Sequence, residues 1–514
     1  MSDVQIQKKQ ITINIIANII SYGIGVIISF YFTPYIINTI GADAYGFYPL
    51  ANNFVSYAQL LVIALNSMAA RFITIKMVEN DTNGMNRYFS SVFFSNVILA
   101  GILIVPLSII ALRVDKFLNV PPDLVKDVTM LFIFTFGTLL MSILTSVFEV
   151  STFCKNRIDI RSYKDMVYNV LRVLLFISFF SLFPPSITYI GIISFILGFL
   201  SFIFSIWITK KIMPEAKVSL KLFDKVAVRE LLSSGIWNSF NQLSVILLSG
   251  LDLLIANIFL GATLSGAYSI AQTMPTFIKT FTGILIGAFI PTITYKYAQN
   301  DKQGLLMEVK KSNRITAVIM GVIVAGFVGL GDIFYSLWVP TQDSSMLQML
   351  SFLIMVPTIF SMGINTLYSV NTVYNKVKIP SIVLFVSAII NVIMVIILLK
   401  TTNLGVFAIP LSSAILNIAR IVFFTPIYTC SIMGIKWYTF YIDVIKSSLG
   451  IISTIIICII IKSIFKIDSW MQLVLTAIIC GTIGLIINSI FVLNKSDLRN
   501  ILEIIKSKLK RKWC

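Results

Sequence analysis

Long apolar runs, separated by short polar connections, recur along the chain from residue 11 to residue 493. Each run has about 20 residues or more, enough for a helix to cross a hydrocarbon layer roughly 30 Å thick. Because backbone groups in lipid must be hydrogen-bonded within the segment itself, such runs predict membrane-spanning helices. The composition agrees, since 57% of the residues are hydrophobic and 12% are charged. We therefore expect an all-α polytopic membrane protein.

Glycine, proline, asparagine and charged residues divide the apolar runs into fourteen predicted spans. They cover residues 11–38, 43–70, 88–111, 124–153, 163–183, 187–209, 228–259, 264–293, 313–338, 346–374, 379–400, 403–431, 440–463 and 468–493.

These spans predict two pseudo-symmetric six-helix lobes around a central cavity, followed by one further pair of helices. The N-lobe would occupy residues 1–209 and the C-lobe residues 233–431, joined by a basic cytoplasmic linker at 210–232. Spans thirteen and fourteen would occupy 432–493, and a basic tail would follow at 494–514. The apolar stripe of that tail predicts an amphipathic helix on the membrane surface. A tail that only supplies basic charge to fix the topology is an alternative that stays open.

The basic residues are concentrated in every second connection between the spans. Roughly 30 fall on one side and about 5 on the other, which assigns the first side, with both termini, to the cytoplasm. The net charge of +18 therefore comes from short loops, and it predicts contact with anionic membrane lipids rather than with nucleic acid. Five scattered cysteines in a chain without histidine predict neither a metal site nor another cofactor.

An internal repeat joins the two predicted lobes. Five residues at the junction of spans one and two recur 220 positions later, at the junction of spans seven and eight. They are Gly41, Ala42, Gly46, Tyr48 and Ala51, matched by Gly261, Ala262, Gly266, Tyr268 and Ala271. Because each half holds an even number of spans, the halves would be parallel repeats, which typically enclose a cavity. Recurrence of Gly and Tyr at short outer turns by composition alone is the alternative.

Polar residues within the spans are the candidate functional residues, because charge at membrane depth is costly unless it faces water or a partner. The most unusual is Asp252, which interrupts the apolar run "LLSGLDLLIANIF". The other candidates are Arg71, Arg172, Lys279 and Arg420, with Asn52, Gln59, Asn241 and Gln272 as uncharged companions. They predict a cavity between the lobes, lined by spans one, two, seven and eight.

Each candidate also has a structural interpretation. Arg172, Lys279 and Arg420 could reach the lipid headgroups with their long side chains, and Arg71 could anchor the end of span two at the interface. Asp252 could make a structural hydrogen bond at a bend near Gly250. Both interpretations stay open from the residues alone.

Several chemistries are absent from the sequence. There is no GxxxxGK[ST] phosphate-binding loop, no histidine to act as a general base and no long outer connection. These absences disfavour an ATP-driven pump and a membrane glycan polymerase or ligase. An ion gradient, the membrane potential or substrate supply would then drive transport, and a basic cavity with one carboxylate suits an anionic substrate exchanged against a cation.

Three stretches carry a family resemblance: "TPYIINTIGADAYGFYPLANNF", "VSLKLFDKVAVRELLSSGIWNSFNQL" and "LDLLIANIFLGATLSGAYSIAQTMP". They resemble the polysaccharide flippases of the multidrug/oligosaccharidyl-lipid/polysaccharide exporter superfamily. The resemblance implies a flippase in the bacterial cytoplasmic membrane, not an enzyme, that moves an undecaprenyl-pyrophosphate-linked oligosaccharide from the inner to the outer leaflet by alternating access. It also implies a site for a coupling cation, H⁺ or Na⁺, at Asp252 and Asn391, and proximity to other glycan-assembly membrane proteins. Two fused lobes make a monomer sufficient.

Three other functions stay open. An ion-coupled drug or small-molecule extruder would share the fold, but its cavity would be acidic and aromatic. A glycan polymerase or ligase would need longer outer loops. A structural or sensor membrane protein would not need charges at depth on several spans.

Overall fold

The structure of the protein is a computed structural model that describes residues 3–287 and 289–494. Within these ranges the regular secondary structure is helical throughout, as predicted. The helices are α1 Asp3–Ile40, α2 Ala42–Val78, α3 Thr82–Leu112, α4 Val114–Phe117, α5 Val125–Cys154, α6 Ile158–Leu182, α7 Thr188–Ile212, α8 Lys225–Val245, α9 Asp252–Leu260, α10 Ala262–Gly287, α11 Ile290–Ala298, α12 Lys302–Trp338, α13 Ser344–Ser361, α14 Leu367–Val373, α15 Lys378–Thr401, α16 Ala408–Ala419, α17 Thr425–Met433, α18 Tyr441–Ile464 and α19 Trp470–Val492.

The prediction of fourteen spans is confirmed. Among the described residues, 13 helical segments are long and apolar enough to cross a membrane. The number is 14 if the pair formed by α10 and α11, bent by 41°, counts as one span. The predicted tail helix lies in residues outside the described ranges.

Two of the spans contain a π-helical turn, which sequence periodicity does not reveal. Ile246–Gly250 separates α8 from α9 in span seven, and Arg420–Phe424 separates α16 from α17 in span twelve. Such turns add a residue to one helical turn and are frequent at functional sites. The first ends two residues before Asp252 and the second begins with Arg420, so both irregularities lie at or next to predicted candidate residues.

The chain forms two compact units, residues 1–267 and 268–514. In the first unit α2 packs along α8 and α5 packs along α7. A small residue permits the first of these contacts: a Cβ atom on Gly235 would lie 1.8 Å from the carbonyl oxygen of Ala64. Close approach at small residues is the ordinary way in which membrane helices gain van der Waals contact.

In the second unit α12 is the central element, in contact with α13, α18 and α19. At one end Arg314 Nε donates to Asp443 Oδ1 over 3.3 Å, and Asp443 is buried. Further along, Gly329 lies directly against Cys458 of α18. The last two spans are thus integral to the packing of this unit.

The connection between α7 and α8 is hydrogen-bonded to α3 along its length. Asn86 donates to the Glu215 carbonyl oxygen over 3.0 Å and accepts from the Lys217 amide over 2.8 Å. The Ser91 hydroxyl likewise accepts from the Asp224 amide over 2.9 Å. The part of the predicted linker between these two helices is therefore an ordered strap on the first unit.

The predicted repeat extends to the backbone conformation. Gly41 and Gly261 have φ angles of 87° and 90°, a region that favours glycine because it lacks a Cβ atom. Asn156 and Asn375, which begin the similar segments "NRIDI" and "NKVKI" at two further helix junctions, both have φ of 54°.

A further pair of matching turns, absent from the sequence predictions, follows α2 and α11. "KMVENDTNG" and "KYAQNDKQG" share Lys, Asn, Asp and Gly at the same spacing, 220 residues apart. In the first, the Asp81 carboxylate accepts from the Gly84 amide over 2.8 Å. In the second, Asp301 accepts from the Gly304 amide over 2.8 Å. We call these the twin turns.

Candidate functional site

Arg172 is held in the middle of α6 by aromatic side chains. Its Nη2 atom donates to the Tyr48 hydroxyl over 2.9 Å, and its guanidinium carbon lies 5.4 Å from the Phe32 ring centroid and 5.6 Å from that of Tyr48. Within the part of the chain that the structure describes, no carboxylate pairs with it. Ring faces attract a cation but do not neutralise it, so the site retains a net positive charge.

Arg172 lies far from the end of the unit where α6 begins. Arg172 follows the first residue of α6, Ile158, by 14 residues, or about 21 Å at 1.5 Å per residue. Its partner Tyr48 lies near the opposite end, six residues into α2. The guanidinium is therefore held inside the helical layer and is not extended toward that end.

Tyr48 begins a polar stripe along α2. Asn52, Gln59 and Asn66 follow it at spacings that keep all four side chains within about 40° of one helix face. Asn52 and Gln59 are exposed. Gln59 and Asn66 also line a cavity of about 150 Å³ between α2 and α5. We call these four residues the α2 stripe.

Asn96 of α3 supports the far end of the α2 stripe. It is fully buried, and its side-chain amide exchanges two hydrogen bonds with that of Asn66, over 3.2 and 3.1 Å. It also donates to the Ile143 carbonyl and the Ser146 hydroxyl, each over 3.0 Å. Sequence reasoning missed Asn96, because a single Asn in an apolar span does not reveal its partners.

The repeat offset connects the α2 stripe to two candidates of the second unit. Adding 220 to Tyr48, Asn52 and Gln59 gives Tyr268, Gln272 and Lys279 on α10. Gln272 and Lys279 are seven residues apart and share a helix face. Lys279 is exposed. The first three positions of the stripe are therefore polar in both copies, with a lysine in the second copy where the first has Gln59, whereas the counterpart of Asn66 is the apolar Ile286.

Asp252 lies on the other side of α2. It is 4% exposed and begins α9, two residues after the end of the π-helical turn. Tyr57 donates to the Gly250 carbonyl oxygen over 2.6 Å and lies within electrostatic range of the Asp252 carboxylate. Because Tyr57 is about 180° from Tyr48 around α2, the structure does not bring Asp252 onto the α2 stripe.

Asn391 and Arg420 belong to the second unit. Asn391 is buried and bridges α15 and α16: it donates to Ser413 over 3.1 Å and accepts from Ser412 over 2.7 Å. Arg420 donates to Asn417 over 3.0 Å and stacks 5.7 Å from the ring centroid of Tyr368. Like Arg172, it pairs with no carboxylate among the described residues. The joint site of Asp252 with Asn391 stays a prediction.

The two remaining candidates, Arg71 and Asn241, are exposed. Arg71 is exposed near the end of α2, away from the α2 stripe, and Asn241 is exposed on α8. Among the described residues, no cluster of three metal-ligating side chains occurs.

Comparisons with known proteins identify the family. The family model described as "Polysaccharide biosynthesis protein" matches residues 11–295, more than half of the chain. The chain belongs to this family. The protein is accordingly a multi-pass membrane transporter of the polysaccharide biosynthesis family, and the resemblance inferred from the sequence is confirmed.

A curated relative covers almost the whole length of this family member. It is the "Uncharacterized membrane protein EpsK" of Bacillus subtilis (strain 168), 29% identical over 467 residues, which are 91% of this chain and 92% of the relative.

Solved structures share the fold. The lipid II flippase MurJ in an inward closed conformation matches with a TM-score of 0.65 at 15% identity, over 93% of this chain and 98% of MurJ. A multidrug resistance MATE family transporter of the MOP superfamily, in an inward-facing conformation, also matches with a TM-score of 0.65, at 13% identity. That match covers 80% of this chain and 94% of the transporter. The predicted flippase and extruder fold is therefore confirmed.

Proposed function

We propose that the protein is a flippase for a lipid-linked oligosaccharide. It moves an undecaprenyl-pyrophosphate-linked repeat unit from the cytoplasmic to the outer leaflet of a bacterial cytoplasmic membrane by alternating access. The family description and the fold shared with a lipid II flippase support a glycan carried on a lipid. The observation that carries the proposal is Arg172, a cation in the middle of a span without an acidic partner among the described residues.

The pyrophosphate is the substrate group that this cation suits. Guanidinium presents five N–H donors in a planar fork that binds phosphate oxygens in pairs. Arg172 uses one donor on Tyr48, and the others suit an anion. Arg420, Lys279 and Arg71 would serve the same anion at other stages of the movement.

The sugars would bind to uncharged amides. The exposed Asn52 and Gln59 of the α2 stripe, with Asn241 and Gln272, offer donors and acceptors that match hydroxyl groups. The polyprenyl chain would stay in the lipid. This division explains why the proposed anion site at Arg172 adjoins the neutral polar groups of the α2 stripe.

Asp252 is proposed as the coupling carboxylate, with Asn391 as its second ligand group and H⁺ or Na⁺ as the cation. The free energy of a carboxylate buried at membrane depth differs greatly between a state paired with a cation and an unpaired state. Its binding of a cation is therefore a strong means of shifting a two-state equilibrium.

The same proposal places both termini in the cytoplasm, on the basis of the basic loops. Anionic lipids and other glycan-assembly membrane proteins are the proposed partners, and a single chain is sufficient.

A drug extruder of the same fold is less compatible with Arg172, because an unpaired guanidinium repels cationic drugs.

Binding of undecaprenyl pyrophosphate to the purified protein in nanodiscs tests the assignment of Arg172. One lost hydrogen bond to a charged group corresponds to about 1.5–3 kcal/mol, so Arg172→Gln is expected to weaken binding by about 10- to 150-fold. Arg113→Gln is the matched control, because Arg113 is exposed in the turn after α3. Equal affinity in Arg172→Gln and the control would refute the assignment.

Transport is tested separately in cells. Asp252→Asn is expected to stop glycan export, with lipid-linked oligosaccharide accumulating on the cytoplasmic face while the protein stays in the membrane. Normal export in this variant would exclude the coupling role. Unchanged lipid-linked oligosaccharide in a deletion strain, with altered drug tolerance, would instead identify an extruder.

A further inference from the structure

An apolar groove separates α6 from α7 in the first unit. Its volume is about 420 Å³, within the roughly 300–1,000 Å³ of ordinary ligand pockets. Its walls are almost entirely hydrocarbon and aromatic. The lining residues are Tyr163, Lys164, Val167, Tyr168, Leu171, Leu197, Leu200, Ser201 and Phe204. We call this the α6–α7 groove.

The groove lies at the depth of the acyl chains of one leaflet. Measured from the end where α6 begins, Tyr163 and Leu171 are about 8 and 20 Å along the helix. On α7, Phe204 and Leu197 are about 12 and 22 Å from the corresponding end. A leaflet contributes roughly 15 Å to a hydrocarbon layer of about 30 Å. The groove therefore matches a lipid tail in position.

Its only basic wall residue is neutralised. Lys164 forms a close ion pair with Glu149, and Arg161 lies 3.6 Å from the same carboxylate. The Glu149 carboxylate therefore offsets part of the positive charge that Lys164 and Arg161 could offer to an anionic ligand.

Two other cations follow the groove wall on α7, and Lys211, seven residues after the lining residue Phe204, lies on the same helix face. Lys210 and Lys211 are exposed in the last turn of α7, and no carboxylate among the described residues pairs with either. Lys211 Nζ lies 5.1 Å from the centroid of Trp207, whose side chain is exposed. Tryptophan next to lysine at a helix end is typical of the headgroup layer.

We propose that the α6–α7 groove binds one acyl chain of an anionic diacyl phospholipid, with the lipid phosphate at Lys210 and Lys211. With the proposed topology, this lipid belongs to the cytoplasmic leaflet. The apolar walls and the uncompensated lysines select a tail and an anionic headgroup together. This site differs from the substrate site in its partners, because Arg172 contacts Phe32 and Tyr48. The two sites are neighbours, since Tyr168 of the groove wall lies within electrostatic range of Arg172.

Photo-crosslinking in nanodiscs tests the proposal. The probes are phosphatidylglycerol and phosphatidylcholine with the same diazirine-bearing acyl chain, and the labelled peptides are mapped by mass spectrometry. A cationic side chain near a membrane anion contributes about 1 kcal/mol, or roughly fivefold in binding, so two lysines predict a preference of about 30-fold for phosphatidylglycerol. Label is expected on peptides of α6 and α7.

Two sets of variants separate the tail from the headgroup. Leu200→Trp fills the groove and is expected to abolish labelling there, whereas Phe199→Trp, on an exposed position outside the lining, is expected to preserve it. The double variant Lys210→Gln/Lys211→Gln keeps the groove and should reduce phosphatidylglycerol labelling to the phosphatidylcholine level.

Equal labelling by both probes, or unchanged labelling in Leu200→Trp, would overturn the proposal. Displacement of phosphatidylglycerol by added undecaprenyl phosphate would also overturn it and assign the groove to the substrate tail. Affinity for undecaprenyl pyrophosphate, measured in the same variants, is expected to be unchanged, so failure here is distinguishable from failure of the flippase proposal.

Discussion

Gly235→Ala should disrupt the contact that positions span seven. A Cβ atom at this position would lie 1.8 Å from the Ala64 carbonyl oxygen, about 1.6 Å closer than ordinary contact at 3.4 Å. The obstacle is backbone, which cannot rotate away, so α8 and α2 must separate. Overpacking of this kind typically costs about 1–3 kcal/mol. Because α8 continues into the turn before Asp252, we expect transport to fall together with stability.

The comparison requires a glycine in the same unit that lacks such a neighbour. Gly101 lies within α3, and a Cβ atom there would meet nothing within 4 Å. In a helix interior, Gly→Ala at an open position is favourable by up to about 1 kcal/mol. Gly101→Ala should therefore be neutral or stabilising, and the two variants should differ by about 1–4 kcal/mol. Reversible unfolding of the purified variants in mixed micelles measures this difference. Equal stability would refute the close α2–α8 contact.

Three further predictions concern polar groups. Asn96→Ala removes up to three simultaneous hydrogen bonds of the amide cluster, each averaging about 0.6 kcal/mol in membranes, and should lower the free energy of unfolding by about 2 kcal/mol. Tyr48→Phe keeps the ring beside Arg172 but removes its hydroxyl, so undecaprenyl pyrophosphate affinity should change less than in Arg172→Gln; an equal loss would contradict the assignment of the guanidinium as the anion ligand. Hydrogen bonds from Lys296 and from the Gly304 amide lower the pKa of Asp301; its stabilising effect is thus present at neutral pH and lost in acid, below about pH 4. Asp301→Asn should destabilise more at pH 7 than at pH 3, which thermal unfolding at the two pH values checks.

The spans were predictable because membrane crossing depends on local length and hydropathy. Interruptions within the spans were not predictable from the sequence. The π-helical turn at Ile246–Gly250 changes hydrogen-bond register without changing composition, and Tyr57, which bonds to it, is 193 residues away in sequence. Pairing between distant segments is set by tertiary packing, which no local window contains.

The candidate site was predictable in its residue types more than in its arrangement. Arg172, Asn52 and Gln59 stood out as polar groups in apolar runs, but their relation through Tyr48 requires the packing of α1, α2 and α6. One further signal was in the sequence: the 220-residue offset that relates the junctions also relates Gln59 to Lys279.

The correspondence of Gln59 with Lys279 allows the two halves of the chain to be compared directly. The twin turns have the same cap in both halves, whereas the corresponding positions Gln59 and Lys279 carry an amide in one half and an ammonium in the other. Each half thus serves as a natural reference for the other. The double variant Gln59→Lys/Lys279→Gln would test whether the positive charge is required in the second half or is equally effective in the first.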